Sequence, residues 1–395
     1  MLIATAKAPI VAFALLLSLL TSIVQCAQDF HTIEISVVGA PNAICTLSQA
    51  LYIFGYENST GYPRINAVVV DTVSKAITKA FTGSFGGFYS CVTHGGRIYV
   101  VGVANRSRSS TSWLIAVFDE ELNIIVNTSQ PLSQGVDVAT DVTVLSGSLF
   151  IVGVVNKSGF SWIRVERRAL DTLALESAYS VPIGLSRHVV TRITSFGNSV
   201  VLGYTVDDAT HIVFLSQDLK LLSETRLGYK LRLLSLATDG ECLYLGAAEG
   251  VAKVCNGIVK AFHYANGGSA ISVKPLNNTI TALILTPNAS GFAVAELRYL
   301  DKELRLLLRE GLGNGYRYQQ YVKPLEATDN RIFIAMAERS WLVKSVDTAA
   351  QCVHEEGGEA IRVSVEVVVL IVYISTTVTA IYFSGAWKRI RCKAS

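Results

Sequence analysis

His188 and Asp137 are the pairing in this chain suited to acid–base work, an imidazole that titrates near neutrality and a carboxylate to orient it. A second set is built for grip: Phe85, Tyr89, Gln134, Arg187, Tyr229, Lys230, Tyr316, Arg317 and Tyr318 are mostly rings and cations on Gly-flanked segments. Those are the types enriched where proteins hold glycans, peptides or other proteins. Cysteines form the third set. Cys242 and Cys255 flank a turn at Glu249-Gly250, and Cys45 and Cys91 hold nearly equivalent places along the chain, so each couple is placed to form a disulfide in an oxidising compartment. Cys352 is left over and could link two chains.

Metal and cofactor chemistry finds no support. Cys91-x-x-His94 has no second ligand pair nearby, and Asp207-Asp208 lacks the spacing of a Ca²⁺ loop. No GxSxG, HExxH or P-loop occurs, so no metal and no cofactor are expected. The chain reads as a binding protein; a hydrolase or lyase would have to work with His188 and Asp137.

Residues this far apart in sequence act together only if a scaffold gathers them. Of the 395 residues 50% are apolar and 16% are charged, against roughly 25% charged in an average soluble domain. Thirty-four basic residues against 31 acidic give no field that would draw nucleic acid. The apolar residues come in short runs bounded by Gly, Asn, Asp and Ser, the pattern of strands and turns. One pattern returns at steps of roughly 40–50 residues: an apolar run closing on glycine at Gly55, Gly102, Gly153, Gly203 and Gly246, with degenerate copies closing on Ile284 and Met336. A second marker, a strand and then an acidic or amide turn, keeps pace at Asp71, Asp119, Asp171, Asp218, Asn256, Asp301 and Asp347.

Each repeat thus has room for four strands, a to d, with b ending near the glycine and c near the aspartate. Seven such repeats resemble a kelch-type β-propeller. The resemblance is weak in detail, because the glycines stand single and no downstream Trp follows. It implies an all-β fold, a seven-bladed β-propeller over 30–347. The last repeat lacks strand d, and an orphan alternating strand, His31 to Val38, precedes the first. The expectation is that this N-terminal strand closes the ring, since an open ring would leave a long unpaired edge.

Residues 1–26 fit a secretory signal peptide, with Lys7, an apolar run from Ala8 to Leu20 and a cleavage point after Cys26. Near the other end, Val367 to Trp387 carries no charge and is long enough to cross a bilayer as a helix. A transmembrane helix is therefore expected within 363–387, after a stalk at 348–362. Residues 388–395 hold Lys388, Arg389, Arg391 and Lys393, which places the tail in the cytoplasm by the positive-inside rule.

The expected protein is a single-pass plasma-membrane protein, mostly extracellular. Its b-to-c and d-to-a loops would point away from the cell and hold a surface protein or a glycan; self-association is a further possibility, as in a structural envelope component. Sequons at Asn58, Asn105, Asn127, Asn156, Asn277 and Asn288 fit an extracellular address, and Asn58, Asn105, Asn156 and Asn288 fall in equivalent b-to-c loops.

Overall fold

The structure is a computed structural model that describes residues 31–347 apart from 108, 158, 185–188, 228–230, 290–291, 317–322, 329–330 and 338–339. Every regular element among the described residues is a strand. The chain opens with β1 (His31–Ile35) and then runs in up-and-down meanders. The first is β2 (Gly39–Leu47), β3 (Ala50–Glu57), β4 (Arg64–Asp71) and β5 (Ile77–His94), continued by β6 (Arg97–Asn105), β7 (Thr111–Phe118) and β8 (Ile124–Gln130). Next come β9 (Val138–Leu145), β10 (Ser148–Lys157), β11 (Phe160–Ala169) and β12 (Leu175–Gly184), then β13 (Thr191–Phe196), β14 (Ser199–Val206), β15 (Ala209–Leu215) and β16 (Leu221–Arg226). After β17 (Leu233–Thr238), β18 (Leu243–Ala247), β19 (Gly250–Cys255) and β20 (Ile258–Tyr264) follow β21 (Ser269–Leu276), β22 (Thr279–Pro287), β23 (Ala293–Asp301) and β24 (Leu306–Tyr316). The chain ends its described part with β25 (Leu325–Ala327), β26 (Arg331–Ala337) and β27 (Trp341–Asp347).

Six hydrogen-bonded sheets result, five of four strands and one of seven. In the large one, β5 pairs with β4 through Ile77 to Phe85 and with β6 through Gly86 to His94. One long strand is therefore the outermost strand of one meander and the innermost of the next. The orphan strand does not lie loose: β1 pairs antiparallel with β27, from His31 opposite Ser345 to Ile35 opposite Trp341. The chain's two described ends thus share the β25–β27 sheet.

The inner strands lie side by side in one cycle, β2 next to β5, then β9, β13, β17, β21 and β25, which returns to β2. A parallel bridge between Ala43 and Lys323 makes the return, with the Ile44 amide donating to the Lys323 carbonyl at 3.3 Å and the Lys323 amide to the Asn42 carbonyl at 2.7 Å. Apolar clusters sit between the two halves of the seven-stranded sheet and between neighbouring sheets. Tyr52, Phe54 and Val69 meet Phe88, Ile98 and Phe118; Tyr99, Val101 and Trp113 meet Val142 and Ile151; Ile35, Phe333 and Trp341 meet Ile44, Leu51 and Val68. Hydrophobic burial between neighbouring sets of strands, joined by the backbone bridge at Lys323, holds this arrangement together.

The b strands end near the recurring glycines, running on past them by a few residues. Gly55, Gly102 and Gly153 pair with Pro41, Phe88 and Ala139 of the inner strands, and the register slips at each of these places. A Cβ there would land on the carbonyl of Ala40, Gly87 or Val138. The glycine is the space into which a β-bulge of the inner strand presses, which is where a sheet close to an axis must bend.

The recurring acidic turns divide into two roles. Asp119 and Asp301 accept from amides of their own c-to-d turns, Asp119 from Glu121 and Asn123 at 2.9 and 2.8 Å and Asp301 from Glu303 and Arg305 at 2.9 and 2.8 Å. Asp71 does the same with Val73 and Ser74. Asp171 and Asp218 instead reach Arg97 and Arg167 of the preceding sheet at 2.5 and 2.7 Å. In four of these turns a leucine takes the left-handed conformation: Leu122, Leu173, Leu219 and Leu304, with φ of 57, 56, 59 and 60°. That conformation costs a bulky residue about 1–2 kcal/mol, but each of these side chains is buried, and burying a leucine contributes about 1.5–3 kcal/mol. Burial wins. Leu122 completes the cluster between the two halves of the seven-stranded sheet, and Leu173 the cluster between that sheet and the β9–β12 sheet.

Candidate functional site

The free edges of the inner strands line a channel, and its two mouths differ. At the d-to-a mouth the described part of the expected site is Phe85, Tyr89, Gln134 and Asp137. Phe85 is exposed and meets Tyr62 edge-on, with ring centroids 6.2 Å apart. Tyr89 is half-buried at the β5 bulge, and Gln134 is exposed in the β8–β9 connection. Arg187, His188, Tyr229, Lys230, Arg317 and Tyr318 lie outside the described residues. Tyr316 closes β24 with its backbone paired to Ala293.

Asp137 is not the open carboxylate that acid–base chemistry needs. It is fully buried; one oxygen accepts from the Leu132 and Ser133 amides at 2.9 and 2.8 Å, the other from the Ser133 hydroxyl at 2.6 Å and the Asn156 amide at 3.2 Å. All four lone-pair positions are used. Its amide and carbonyl are held by the Thr111 hydroxyl. Asp137 knots the β8–β9 connection to β7 and β10.

The aromatic side chains that water does reach are gathered on one side. Tyr62, Phe85, Phe160, Tyr264 and Phe292 are between 43% and 68% exposed. Each stands in or beside a b-to-c or d-to-a connection: Tyr62 between β3 and β4, Phe85 at the changeover of β5, Phe160 at the start of β11, Tyr264 at the end of β20, Phe292 between β22 and β23. No aromatic of comparable exposure occurs at an a-to-b or c-to-d turn among the described residues. Tyr62, Phe160 and Phe292 stand at b-to-c positions beside a turn Gly or Asn, a signal visible in the sequence, whereas Tyr264 lies at a d-to-a connection beside Asn266-Gly267.

Of the six sequons, Asn58 and Asn105 are exposed at the b-to-c ends of β3 and β6, while Asn156 and Asn288 are half-buried in the matching places. Asn288 is also engaged, accepting from the Phe292 amide at 3.0 Å. Asn127 is exposed on β8 and Asn277 in the β21–β22 turn. Asp207 and Asp208 both take left-handed φ, 50 and 62°, in the two-residue turn joining β14 to β15, a hairpin geometry that favours Asp. Among the described residues no group of three His, Cys, Asp or Glu is placed to hold a metal ion.

Disulfides join Cys45 to Cys91 (Cα atoms 6.3 Å apart) and Cys242 to Cys255 (4.6 Å). The first ties inner strand β2 to inner strand β5, and the second staples β19 to the start of β18.

Inside the channel the sequence reading missed an ionic knot. Asp141 is fully buried on β9 and accepts from Lys323 Nζ at 2.5 Å, the Ser90 hydroxyl at 2.7 Å and the Val142 and Ile193 amides at 2.8 and 3.0 Å. Four of the inner segments meet on one carboxylate. The buried Arg192 beside it donates to the carbonyls of Leu234 and Thr191 at 2.6 and 3.1 Å. An acidic residue inside the otherwise β-branched run VATDVTVL was the available signal. Toward the a-to-b mouth, past this knot, opens a cavity of about 310 Å³. Five threonines from five inner strands line it, Thr46, Thr93, Thr143, Thr194 and Thr238, together with Lys323 and the Lys274–Glu326 ion pair at 2.7 Å.

No family model and no curated protein matches the sequence. The fold does match solved structures. Sqt1 from Chaetomium thermophilum aligns over 81% of this chain and 99% of its own at 12% identity, with a TM-score of 0.51. The WD40 domain of Neurospora crassa Pan2 aligns over 78% and 90% at 9% identity, with a TM-score of 0.52. The AfRom2 CNH domain aligns over 80% and 98% at 11% identity, with a TM-score of 0.50. At such identities the likeness concerns the fold alone: this chain has an all-β, propeller-like fold of repeated sheets.

Proposed function

We propose that the chain is a membrane-anchored cell-surface protein whose propeller binds a protein partner or a glycan through the face of its b-to-c and d-to-a connections. The observation that carries this reading is the one-sided gathering of Tyr62, Phe85, Phe160, Tyr264 and Phe292 in water. Exposed rings on rigidly held connections are where binding energy concentrates. Sqt1, which shares the fold, has been solved bound to the N-terminus of ribosomal protein L10, and protein binding by such a ring is the activity extended here.

Seven blades are part of the proposal. With β5 serving twice, the sheets divide into seven sets of four strands, matching the seven repeats, and the cycle of inner strands supports that count. The kelch likeness goes no further than the single glycines. The address rests on sequence: the signal peptide at 1–26, the stalk at 348–362, the span at 363–387 and the basic tail at 388–395 all lie outside the described residues. The chain's last described residue, Asp347, ends β27 at the c-to-d side, opposite the aromatic side.

The test is a glycan and protein array screened with the full-length chain and with a Tyr62→Ser/Phe85→Ser/Phe160→Ser variant. The reading predicts a saturable partner whose affinity falls at least tenfold in the variant. Equal binding by both proteins would refute it.

A further inference from the structure

The cavity at the a-to-b mouth lies at the other end of the channel from the proposed partner face, and nothing in that reading uses it. Its lining is chemically unusual for a hollow between β-sheets. Large apolar side chains fill the seams between sheets, yet here five inner strands each contribute a threonine, all half-buried. A hydroxyl both donates and accepts. The inner strands add unpaired backbone edges, since β9, β13, β17 and β21 each pair with a strand on one side only.

The charges in the wall are already neutralised. Glu326 accepts from Lys274 through both oxygens, at 2.7 and 2.9 Å, and Lys323 is spent on Asp141 at 2.5 Å. A charged ligand would have to break one of these pairs and leave a half-buried charge alone, which is costly. Among the described residues no aromatic side chain lines the cavity. At about 310 Å³ it stands at the small end of ligand sites, roughly 300–1,000 Å³.

From these observations we infer that the a-to-b mouth is a binding site for one small, neutral, polyhydroxylated molecule, of the size of a free polyol or a monosaccharide. The threonine hydroxyls and strand edges meet its hydroxyl groups, and the Glu326 carboxylate, fixed by Lys274, accepts from a vicinal pair. This site is independent of the partner face.

The test uses the full-length chain in a polyoxyethylene detergent, so that no sugar headgroup competes. Glycerol, myo-inositol, D-glucose and D-galactose are titrated by calorimetry, with sodium sulfate, sodium succinate and calcium chloride as charged competitors. Calorimetry is preferred to thermal shift because polyols stabilise folded proteins by exclusion without binding. The expected result is saturable one-to-one binding of at least one of the four neutral compounds. Thr93→Val/Thr143→Val and, separately, Glu326→Gln should each weaken it about tenfold or more, the size of one or two lost hydrogen bonds, with the melting temperature of Glu326→Gln serving as the check that folding is intact. No saturable binding by any of the four, tighter binding of sulfate, succinate or calcium, or full affinity in both variants would overturn the inference.

Discussion

The c-to-d turns and the connections at the opposite end of the same strands are built on different rules. At the c-to-d turns the same few residues recur, an aspartate or serine accepting backbone amides and a leucine at positive φ whose side chain is buried in an apolar cluster. At the b-to-c and d-to-a end little repeats, and rings stand in water: Tyr62, Phe85, Phe160, Tyr264 and Phe292. What recurs in this chain is architecture, and what varies is where binding is placed. The repeat serves to hold the varied end still.

The largest effect that would separate the two ends is in stability. Leu173→Ala removes a side chain from the seam between the β6–β8 and β9–β12 strands, and should lower unfolding free energy by about 2–5 kcal/mol in a denaturant titration. A smaller but clear loss, about 1–3 kcal/mol, is expected from Asp137→Ala, which strands the Leu132, Ser133 and Asn156 amides. This one sharpens the comparison, because Asp137 sits at the variable end and yet does structural work.

A pH titration should come next in size. Burial, and then the charge of Arg298, hold the His263 imidazole below its ordinary value. The unfolded chain then takes up a proton that the folded chain resists, so stability that is complete above about pH 6.5 drains as pH falls below it. The amide and hydroxyl of Ser74 hold the Asp71 carboxyl below the carboxylate range, so its contribution is present above about pH 4 and is lost as pH falls through the lowered value. Glu310, raised by burial, works in the opposite sense over the carboxylate range. The melting temperature should therefore fall in steps on acidification, and His263→Gln should flatten the first. The smallest effect belongs to the rings: Phe85→Ser or Tyr62→Ser should shift stability by no more than about 0.5 kcal/mol. A loss as large as that of Leu173→Ala would erase the contrast between the ends.

Much of the scaffold could be read in the residues. The turn residues fixed strand spacing, and the alternation of His31 to Val38 marked a strand without a neighbour, which is why its pairing with β27 could be anticipated. Gly55, Gly102 and Gly153 were visible near their strand ends, but their place opposite a bulge was not, because a bulge is a feature of two strands at once and leaves only a missing side chain in one of them. Asp137 and the Asp141–Lys323 knot were illegible for a related reason. Whether a carboxylate is open or saturated depends on amides that come from other strands, and Lys323 lies 182 positions from Asp141 in the chain. The c-to-d leucines hid among ordinary apolar residues, since nothing in the sequence announces a positive φ.

Hydrogen exchange on β1 tests the central claim most directly, that the leading strand completes the sheet of the chain's last strands. β1 bonds to β27 from His31 to Ile35, and the Trp341 amide donates to the Val37 carbonyl at 3.0 Å. The account predicts that the bonded amides of 31–35 exchange in the same slow phase as those of β26 and β27. Exchange of 31–35 within seconds, while β26 stays protected, would mean that the ring is not closed by this strand.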